Sequence, residues 1–231
     1  MSSQIFSLKI LVVVVLATHP KQYQLLAGQA VVWHTIEAFR HVKSVAGIAV
    51  VVLPGDQRFK SVCPDFNQPS DLLAAVGGST RAASVCNGLK TLLSGPASPD
   101  DWVLVHDAAR CLVIPQQITD LIEACENDSV GGLLALPLPD TLKSSMAGRV
   151  AQTIVRTDKW LAQTPQMFRM GALLAALESA GDGVTDESSA MEAQGLKPLL
   201  VPGSAQNFKL TYPHDFALAE AILQSRMKAK P

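Results

Sequence analysis

The sequence predicts an α/β fold built on a mostly parallel β-sheet that is flanked by helices. Apolar runs rich in valine, isoleucine and leucine alternate along the chain with amphipathic, helix-like segments. This alternation is typical of repeated strand–helix–strand units, in which the strands are parallel and the crossovers right-handed. The chain has 231 residues, 48% of them hydrophobic, which is enough for a substantial core. No linker or repeat divides it, so we expect one domain over residues 1–231 with one arm.

The first predicted strand, Ile10–Leu16, contains four consecutive valines. The run that follows Lys9 also resembles the apolar region of a secretory signal peptide, although it is far too short to cross a bilayer. A series of β-branched residues favours a buried parallel strand over that alternative. The four cysteines have no C-x-x-C spacing, which favours free thiols over a zinc site. We therefore expect a cytoplasmic protein.

The remaining elements follow in chain order. Strands are predicted at Gly47–Leu53, Trp102–Val105, Gly131–Pro137, Leu199–Pro202 and Asn207–Thr211. Helices are predicted at Val31–Arg40, Ala83–Leu93, Pro115–Asn127, Met170–Ala180, from a cap at Thr185 or Asp186 through Glu192, and at His214–Met227. Two polar-alternating segments, Leu136–Lys143 and Val150–Thr157, flank a turn at Ser144–Gly148 and predict an antiparallel hairpin. Such an arm often serves assembly, although a surface hairpin without a partner fits the pattern equally well.

Charged residues stand where the predicted elements end. The strand Trp102–Val105 runs into His106-Asp107-Ala108-Ala109-Arg110, at the sheet edge where open α/β sheets bind ligands. The Asp107 carboxylate there could hold a divalent metal or a hydroxyl, and an ordinary strand end is the alternative. Gly77-Gly78 leads into a helix start, which suits an anion, although a plain turn fits as well. Cations at such positions are Lys21, Arg81, Arg110, Arg156 and Lys209.

Several classes of protein are disfavoured. The net charge of −1 shows no basic excess for a nucleic-acid surface. No G-x-S-x-G motif indicates an α/β-hydrolase, and no G-x-x-x-x-G-K-[ST] motif indicates a P-loop nucleotidase.

Taken together, the motifs resemble those of the 2-C-methyl-D-erythritol 4-phosphate cytidylyltransferases of the non-mevalonate isoprenoid pathway. The segments that carry the resemblance, in order, are Pro20-Lys21-Gln22-Tyr23, Gly77–Ser84, Val105–Arg110, Asp140-Thr141-Leu142-Lys143, Thr164-Pro165-Gln166, Thr185-Asp186-Glu187 and Asn207-Phe208-Lys209-Leu210-Thr211. The resemblance implies a Rossmann-like nucleotidyltransferase fold, a homodimer joined through β-arms at about residues 137–160, and the substrates CTP and methylerythritol phosphate with Mg²⁺. It implies neither a nucleic-acid nor a membrane partner.

The resemblance also implies roles for individual residues. The expected catalytic residues are Lys21 on the triphosphate, Arg156 on the neighbouring subunit's substrate and Lys209 on the substrate phosphate. Asp107 is the expected metal ligand. The expected substrate-binding residues are Gly78, Ser79, Arg81, Ser84, Asp107, Ala108, Arg110, Thr141, Thr164 and Thr185. Lysine and arginine side chains fixed beside the phosphates suit this chemistry, because nucleotidyl transfer needs in-line positioning of the reacting groups and neutralisation of their charge more than it needs a protein nucleophile.

Three positions depart from the family pattern. Cys111 stands where proline is common, and Val155 where an acidic residue is common. More importantly, Leu16-Ala17-Thr18-His19 replaces a glycine-rich loop that would cradle the triphosphate. Either the natural chain carries further residues there and its intact mass exceeds 24.6 kDa, or the loop is absent and the chain is a non-catalytic nucleotide-binding scaffold. We favour the first interpretation because the rest of the site is intact. A cytidylyltransferase for another polyol phosphate, such as ribitol 5-phosphate, is a further alternative.

Overall fold

The computed structural model describes residues 9–16, 20–95 and 97–228. Its strands are β1 (Ile10–Val15), β2 (Leu25–Leu26), β3 (Gln29–Ala30), β4 (Val45–Val51), β5 (Asp71–Ala74), β6 (Trp102–Asp107), β7 (Gly131–Pro137), β8 (Leu142–Met146), β9 (Arg149–Ile154), β10 (Trp160–Arg169) and β11 (Leu199–Pro202). Its α-helices are α1 (Val31–Arg40), α2 (Phe59–Val62), α3 (Arg81–Leu93), α4 (Pro115–Cys125), α5 (Met170–Ala180), α6 (Glu187–Ala193) and α7 (Pro213–Lys228). Short 3-10 helices form at Pro20–Tyr23 and Gly181–Gly183.

The central sheet has seven strands in the order β11-β7-β10-β6-β1-β4-β5. All neighbouring pairs in it are parallel except those of β10, which runs antiparallel to β6 and β7. The prediction of a mostly parallel sheet flanked by helices is therefore confirmed. In this register Val15 of β1 lies between Val51 of β4 and Asp107 of β6, so the carboxyl ends of these three strands form one edge.

The valine run of β1 is explained by burial on both faces of the sheet. Val12 and Val14 pack into one hydrophobic cluster with Phe39 of α1 and Leu121 of α4. The residues that alternate with them, such as Val13, pack on the opposite face against α3 and α5. The sequence of a strand that is covered on both faces is a continuous apolar run, whereas a strand covered on one face alternates apolar and polar residues. The run therefore forms a central strand, and among the described residues no helix is long and apolar enough to span a membrane.

Strand β10 was missed in the sequence because it is polar in its middle. Its buried residues include Gln163, Thr164 and Gln166, and its pairing with β7 is irregular between Ala162 and Gln166. These side chains are satisfied by hydrogen bonds rather than by apolar packing; for example, Gln166 Nε2 donates to Asp186 Oδ2 at 2.9 Å. Without an apolar pattern, a strand has no signal of its own.

The arm is a separate two-stranded antiparallel sheet of β8 and β9. An antiparallel hairpin is present as predicted, but the predicted first segment, Leu136–Lys143, and the predicted turn at Ser144–Gly148 are wrong in their bounds. Only Ala147 and Gly148 form the turn, with φ of 49° and 75°. Two successive residues in the left-handed region match the tight hairpin turns that fit twisted strands, so Ser144 and its neighbours stay in the strand.

The predicted strand at Asn207–Thr211 is also wrong, because the segment has no regular structure in the fold. Its backbone instead bonds to the turn after β6, where Leu210 N donates to Ala109 O at 2.9 Å. The apolar residues of the segment, including Leu210, bury themselves against α7 rather than in the sheet. Burial alone therefore produced the strand-like pattern.

Candidate active site

A cleft of about 240 Å³ opens at the carboxyl ends of β1, β4 and β6. It is lined by Val15, Leu16, Gln22, Leu53, Gly78, Ser79, Thr80, Arg81, Ser84, Asp107, Ala108, Ala109 and Lys209. Seven of the predicted site residues thus meet there: Gly78, Ser79, Arg81, Ser84, Asp107, Ala108 and Lys209. The predicted departure from the glycine-rich loop falls mainly on residues 17–19, which are outside the described part of the chain.

The Asp107 carboxylate is the central charge of the cleft. Arg81 Nε donates to Oδ1 at 2.7 Å, and Lys209 Nζ lies 2.7 Å from Oδ2. Burial alone would raise the pKa of Asp107, but the nearby charges of Arg81 and Lys209 outweigh this and hold the pKa well below its usual range. Asp107 is therefore ionised at neutral pH.

Glu187, which sequence reasoning missed, completes this network. It is fully buried at the first position of α6, and its carboxylate receives Arg81 Nη1 at 2.6 Å and Nη2 at 2.9 Å. Burial raises the pKa of Glu187, and the charge of Arg81 opposes that rise. Its signal in the sequence is weak, since Glu187 appears there only as the last residue of the segment Thr185-Asp186-Glu187. An acidic residue in a first helical turn usually lies on the surface, where it favours the helix dipole.

The guanidinium of Arg81 therefore bridges two carboxylates. Burial would lower its pKa, but Glu187 and Asp107 together raise it above the ordinary value. Arg81 is the first residue of α3, whose N-cap is Thr80, with Oγ1 accepting from Ala83 N at 3.1 Å. The helix start thus fixes where this cation stands.

The two glycines before α3 are required by close packing. A Cβ on Gly78 would lie 2.6 Å from Ala83 Cβ, and one on Gly77 would lie 2.9 Å from Val52 O. The Gly78 N–H donates to Ser84 Oγ at 3.0 Å. This amide is therefore engaged within the chain, and Ser84 holds the turn against the helix.

His106 and Thr164 support Asp107 from behind. The Asp107 N–H donates to Thr164 Oγ1 at 3.1 Å, and Thr164 Oγ1 lies 3.1 Å from His106 Nδ1. Because His106 Nε2 faces the Arg110 carbonyl at 3.2 Å, the proton is on Nε2 and Nδ1 accepts from the threonine hydroxyl. Burial lowers the pKa of His106 to about 3, so the ring is neutral. Phe39 packs edge-to-face on it.

The predicted residue Arg110 lies beside the cleft. Its Nη1 donates to Asn207 O at 2.7 Å, and its Nη2 to Ala162 O at 3.3 Å. Burial lowers its pKa. Together with the Leu210 N–H bond to Ala109, this arginine fastens the segment that carries Lys209 across the end of β6.

Other predicted residues lie outside the lining of the cleft, within the part of the chain that the structure describes. Lys21 is in the 3-10 helix Pro20–Tyr23, next to the lining residue Gln22. Thr185 is exposed just before α6. Thr141 and Arg156 flank the arm, and Arg156 Nη1 donates to Pro139 O there. A single subunit thus brings Asp107, Arg81 and Lys209 together but not the arm residues.

The residues present allow one mode of metal binding. Among the described residues, no group of three or more histidine, cysteine or carboxylate side chains could hold a metal by itself. Mg²⁺, however, is commonly held by one or two carboxylates together with substrate phosphates. Asp107 faces the cleft and offers such a carboxylate, so the donor set fits a metal that enters with a nucleotide.

Comparisons with known proteins agree on one family. The family model described as 2-C-methyl-D-erythritol 4-phosphate cytidylyltransferase matches residues 15–225. The protein of that name from Chromobacterium violaceum is 50% identical over 212 residues, covering 91% of this chain and 92% of the relative. A bifunctional IspD/IspF enzyme of Albidiferax ferrireducens is 65% identical over 210 residues, 91% of this chain. The chain spans 50% of that relative's length.

Solved structures show the same similarity. A crystal structure of 4-diphosphocytidyl-2C-methyl-D-erythritol synthase superposes with a TM-score of 0.86 at 38% identity, covering 94% of this chain and 100% of the other. The 2-C-methyl-D-erythritol 4-phosphate cytidylyltransferase of Francisella tularensis gives a TM-score of 0.81 at 32% identity, covering 92% and 99%.

Proposed function

The chain belongs to the 2-C-methyl-D-erythritol 4-phosphate cytidylyltransferase family, and we propose that it transfers a cytidylyl group from CTP to 2-C-methyl-D-erythritol 4-phosphate. The products are pyrophosphate and 4-diphosphocytidyl-2-C-methyl-D-erythritol. The observation that carries the proposal is the network of Arg81, Asp107, Lys209 and Glu187 at the carboxyl edge of the sheet. Its cations could offset the charge of two phosphorylated substrates that met at this cleft, which supports the proposal.

The reaction needs no protein nucleophile. An oxygen of the acceptor phosphate attacks the α-phosphorus of CTP, a new P–O bond forms, and the bond to the β-phosphate oxygen breaks as pyrophosphate leaves. The protein must align these groups and offset the repulsion between two polyanions. Lys209 and Lys21 are the proposed phosphate-binding cations, since their side chains are partly exposed near the cleft.

The small residues of the cleft supply room and the carboxylate supplies a metal ligand. Ala108 and Ala109 follow Asp107 and leave space for a nucleotide beside the sheet edge. When Mg²⁺ is bound with CTP, it would neutralise charge on the phosphates, and Asp107 is the residue that would hold it.

Assembly through the arm is part of the proposal. Arg156 lies just after β9 of the arm and not in the cleft of its own subunit, so it would act on substrate only if this region reached a second copy. Large apolar side chains are exposed on or beside the arm, at Met146, Val150 and Val155, and a second copy that covered them would remove this apolar surface from water, which supports a homodimer.

A pyrophosphate-release assay tests the activity. CTP and Mg²⁺ are supplied with methylerythritol phosphate, with ribitol 5-phosphate, or with no acceptor, to protein whose intact mass has been measured. The proposal predicts release that requires methylerythritol phosphate. Release only with ribitol 5-phosphate would reassign the acceptor. No release with either would favour the non-catalytic nucleotide-binding alternative, which the short connection between Leu16 and Pro20 supports.

A further inference from the structure

Two cations share the Asp107 carboxylate, and they are held very differently. The Arg81 side chain is 25% exposed and bonds to both Asp107 and Glu187. The Lys209 side chain is 43% exposed, and Asp107 is the carboxylate with which the structure pairs it. A planar guanidinium fixed by a buried carboxylate stays in place, whereas an ammonium on a flexible four-carbon stem can turn away at little cost.

The charges of the network balance only while both cations are present. Arg81 and Lys209 carry two positive charges, and Asp107 and Glu187 carry two negative charges. If Lys209 turned towards a substrate phosphate, Asp107 Oδ2 would face the cleft without a partner. Burial makes an unpaired carboxylate oxygen costly, so a second cation would be favoured there.

The backbone around Lys209 cannot follow such a movement. Asn207 O is bound by Arg110, and the Leu210 N–H is bound to Ala109 O. Exchange therefore requires only rotation of the lysine side chain. Asp107 itself would stay in position because Arg81, held by Glu187, keeps Oδ1 occupied.

From these contacts we propose that Asp107 Oδ2 is an exchangeable cation position. Lys209 occupies it in the free protein and gives it up to the divalent cation that enters with the nucleotide, which releases the ammonium for the second substrate's phosphate. Glu187 is a positioning residue in this scheme, because it keeps Arg81 on Oδ1 throughout. The inference rests on the proposed function, since it assumes that a magnesium–nucleotide complex enters this cleft.

The test measures binding of CTP by calorimetry, without any acceptor, once with Mg²⁺ and once with EDTA. The quantity compared is the enhancement by Mg²⁺, the ratio of the Kd in EDTA to the Kd in Mg²⁺. The Lys209→Met variant removes the ammonium that competes with Mg²⁺ for Asp107. Its enhancement should therefore be about fivefold larger than that of the wild type, because a partly exposed ion pair contributes a free energy equivalent to about that factor in Kd. Using the ratio cancels any loss of general attraction between lysine and nucleotide.

Three further variants make the result specific. Lys209→Arg keeps a competing cation and should show the wild-type enhancement, whereas Lys209→Gln should behave like Lys209→Met. Lys90→Met removes a lysine from an exposed pair with Glu178 and serves as the matched control. Its enhancement should equal that of the wild type. Thermal melting of each variant shows whether it is folded.

The outcomes of this test distinguish the proposed cation exchange at Asp107 from the proposed cytidylyl transfer. An unchanged or smaller enhancement in Lys209→Met, with wild-type protein that binds magnesium–CTP, overturns the exchange and leaves the proposed function standing. If the wild type binds no CTP under either condition, the proposed function is overturned and the exchange with it.

Discussion

At the scale of the residue, the site depends on buried charges that satisfy one another. Glu187 is fully buried and would be unfavourable as a carboxylate without the guanidinium of Arg81. Arg81 in turn bridges to Asp107, which lies at the cleft. Removing one member of such a pair leaves an uncompensated charge, whereas removing both replaces the pair by apolar contacts.

We therefore expect Glu187→Gln to lower the free energy of unfolding by about 3 kcal/mol, because Arg81 keeps its charge and loses the more deeply buried of its two carboxylate partners. The double variant Arg81→Met/Glu187→Met should recover part of that stability but not all of it, because Asp107 Oδ1 also loses its partner Arg81. Urea unfolding at pH 7 measures both changes. A single variant as stable as the wild type would show that the pair does not carry the energy assigned to it.

The low pKa of His106 makes the free energy of unfolding depend on pH. Its pKa in the folded protein is about 3, below the ordinary value of 6.5, so the folded state binds fewer protons than the unfolded state between these values. The contribution of the neutral ring is present above pH 6.5 and is lost progressively as the pH falls towards 3. Stability should thus decline from pH 7 to pH 4.

The comparison with His106→Asn isolates this group. Burial also lowers the pKa of His34, which acts in the same direction in both proteins. The variant is expected to be less stable at pH 7 but to lose less stability on acidification, as followed by urea unfolding at pH 7, 5.5 and 4. Equal slopes for the two proteins would exclude His106 as the cause.

At the scale of the element, the arm and the carboxyl edge of the sheet contribute differently to the candidate site. The edge brings Arg81, Asp107 and Lys209 together within one chain. The arm of β8 and β9 pairs only with itself among the described strands. If its exposed apolar residues serve assembly, they would do so against another chain, and a second copy is the proposed partner.

If the arm joins two subunits, a charge placed on it should separate them. Val150→Asp puts a carboxylate at a position that is 66% exposed in the single chain, so folding of the subunit should be little affected. Light scattering after gel filtration should show a dimer for the wild type and a monomer for the variant. Leu218→Asp, which replaces a 55% exposed apolar residue on α7 away from the arm, is the control for adding charge alone and should stay dimeric. A wild type that is monomeric would contradict assembly through the arm.

Most helices and apolar strands could be predicted because each carries its own signal, whereas the four-residue elements α2 and β5 were missed because they are too short to show a period. α1 and α5 have the predicted bounds, and β7 and β11 do as well. Strand β10 had no such signal, since its polar residues are buried through partners distant in sequence. Glu187 was missed for the same reason: its partner Arg81 is 106 residues away along the chain.

At the scale of the whole molecule, the order of the strands creates the site. β1 lies between β4 and β6, and the chain returns with α3 and α6 so that Arg81 and Glu187 meet beside the end of β6. The order of motifs in the sequence identified the family, which the similarity over residues 15–225 confirms. The connection from Leu16 to Pro20 is where this chain differs most from the pattern, and activity tests its consequence.

The most direct measurement is acceptor-dependent pyrophosphate release by the wild type and by Asp107→Asn, with Asp120→Asn as a control for losing an exposed carboxylate. We predict release by the wild type with methylerythritol phosphate and CTP. For Asp107→Asn, kcat/KM should fall by a factor on the order of 10²–10³, as for other lost groups that stabilise transition-state charge, while Asp120→Asn keeps wild-type activity. Full activity in Asp107→Asn, or no release by the wild type, would contradict the assignment of this cleft as the site of cytidylyl transfer.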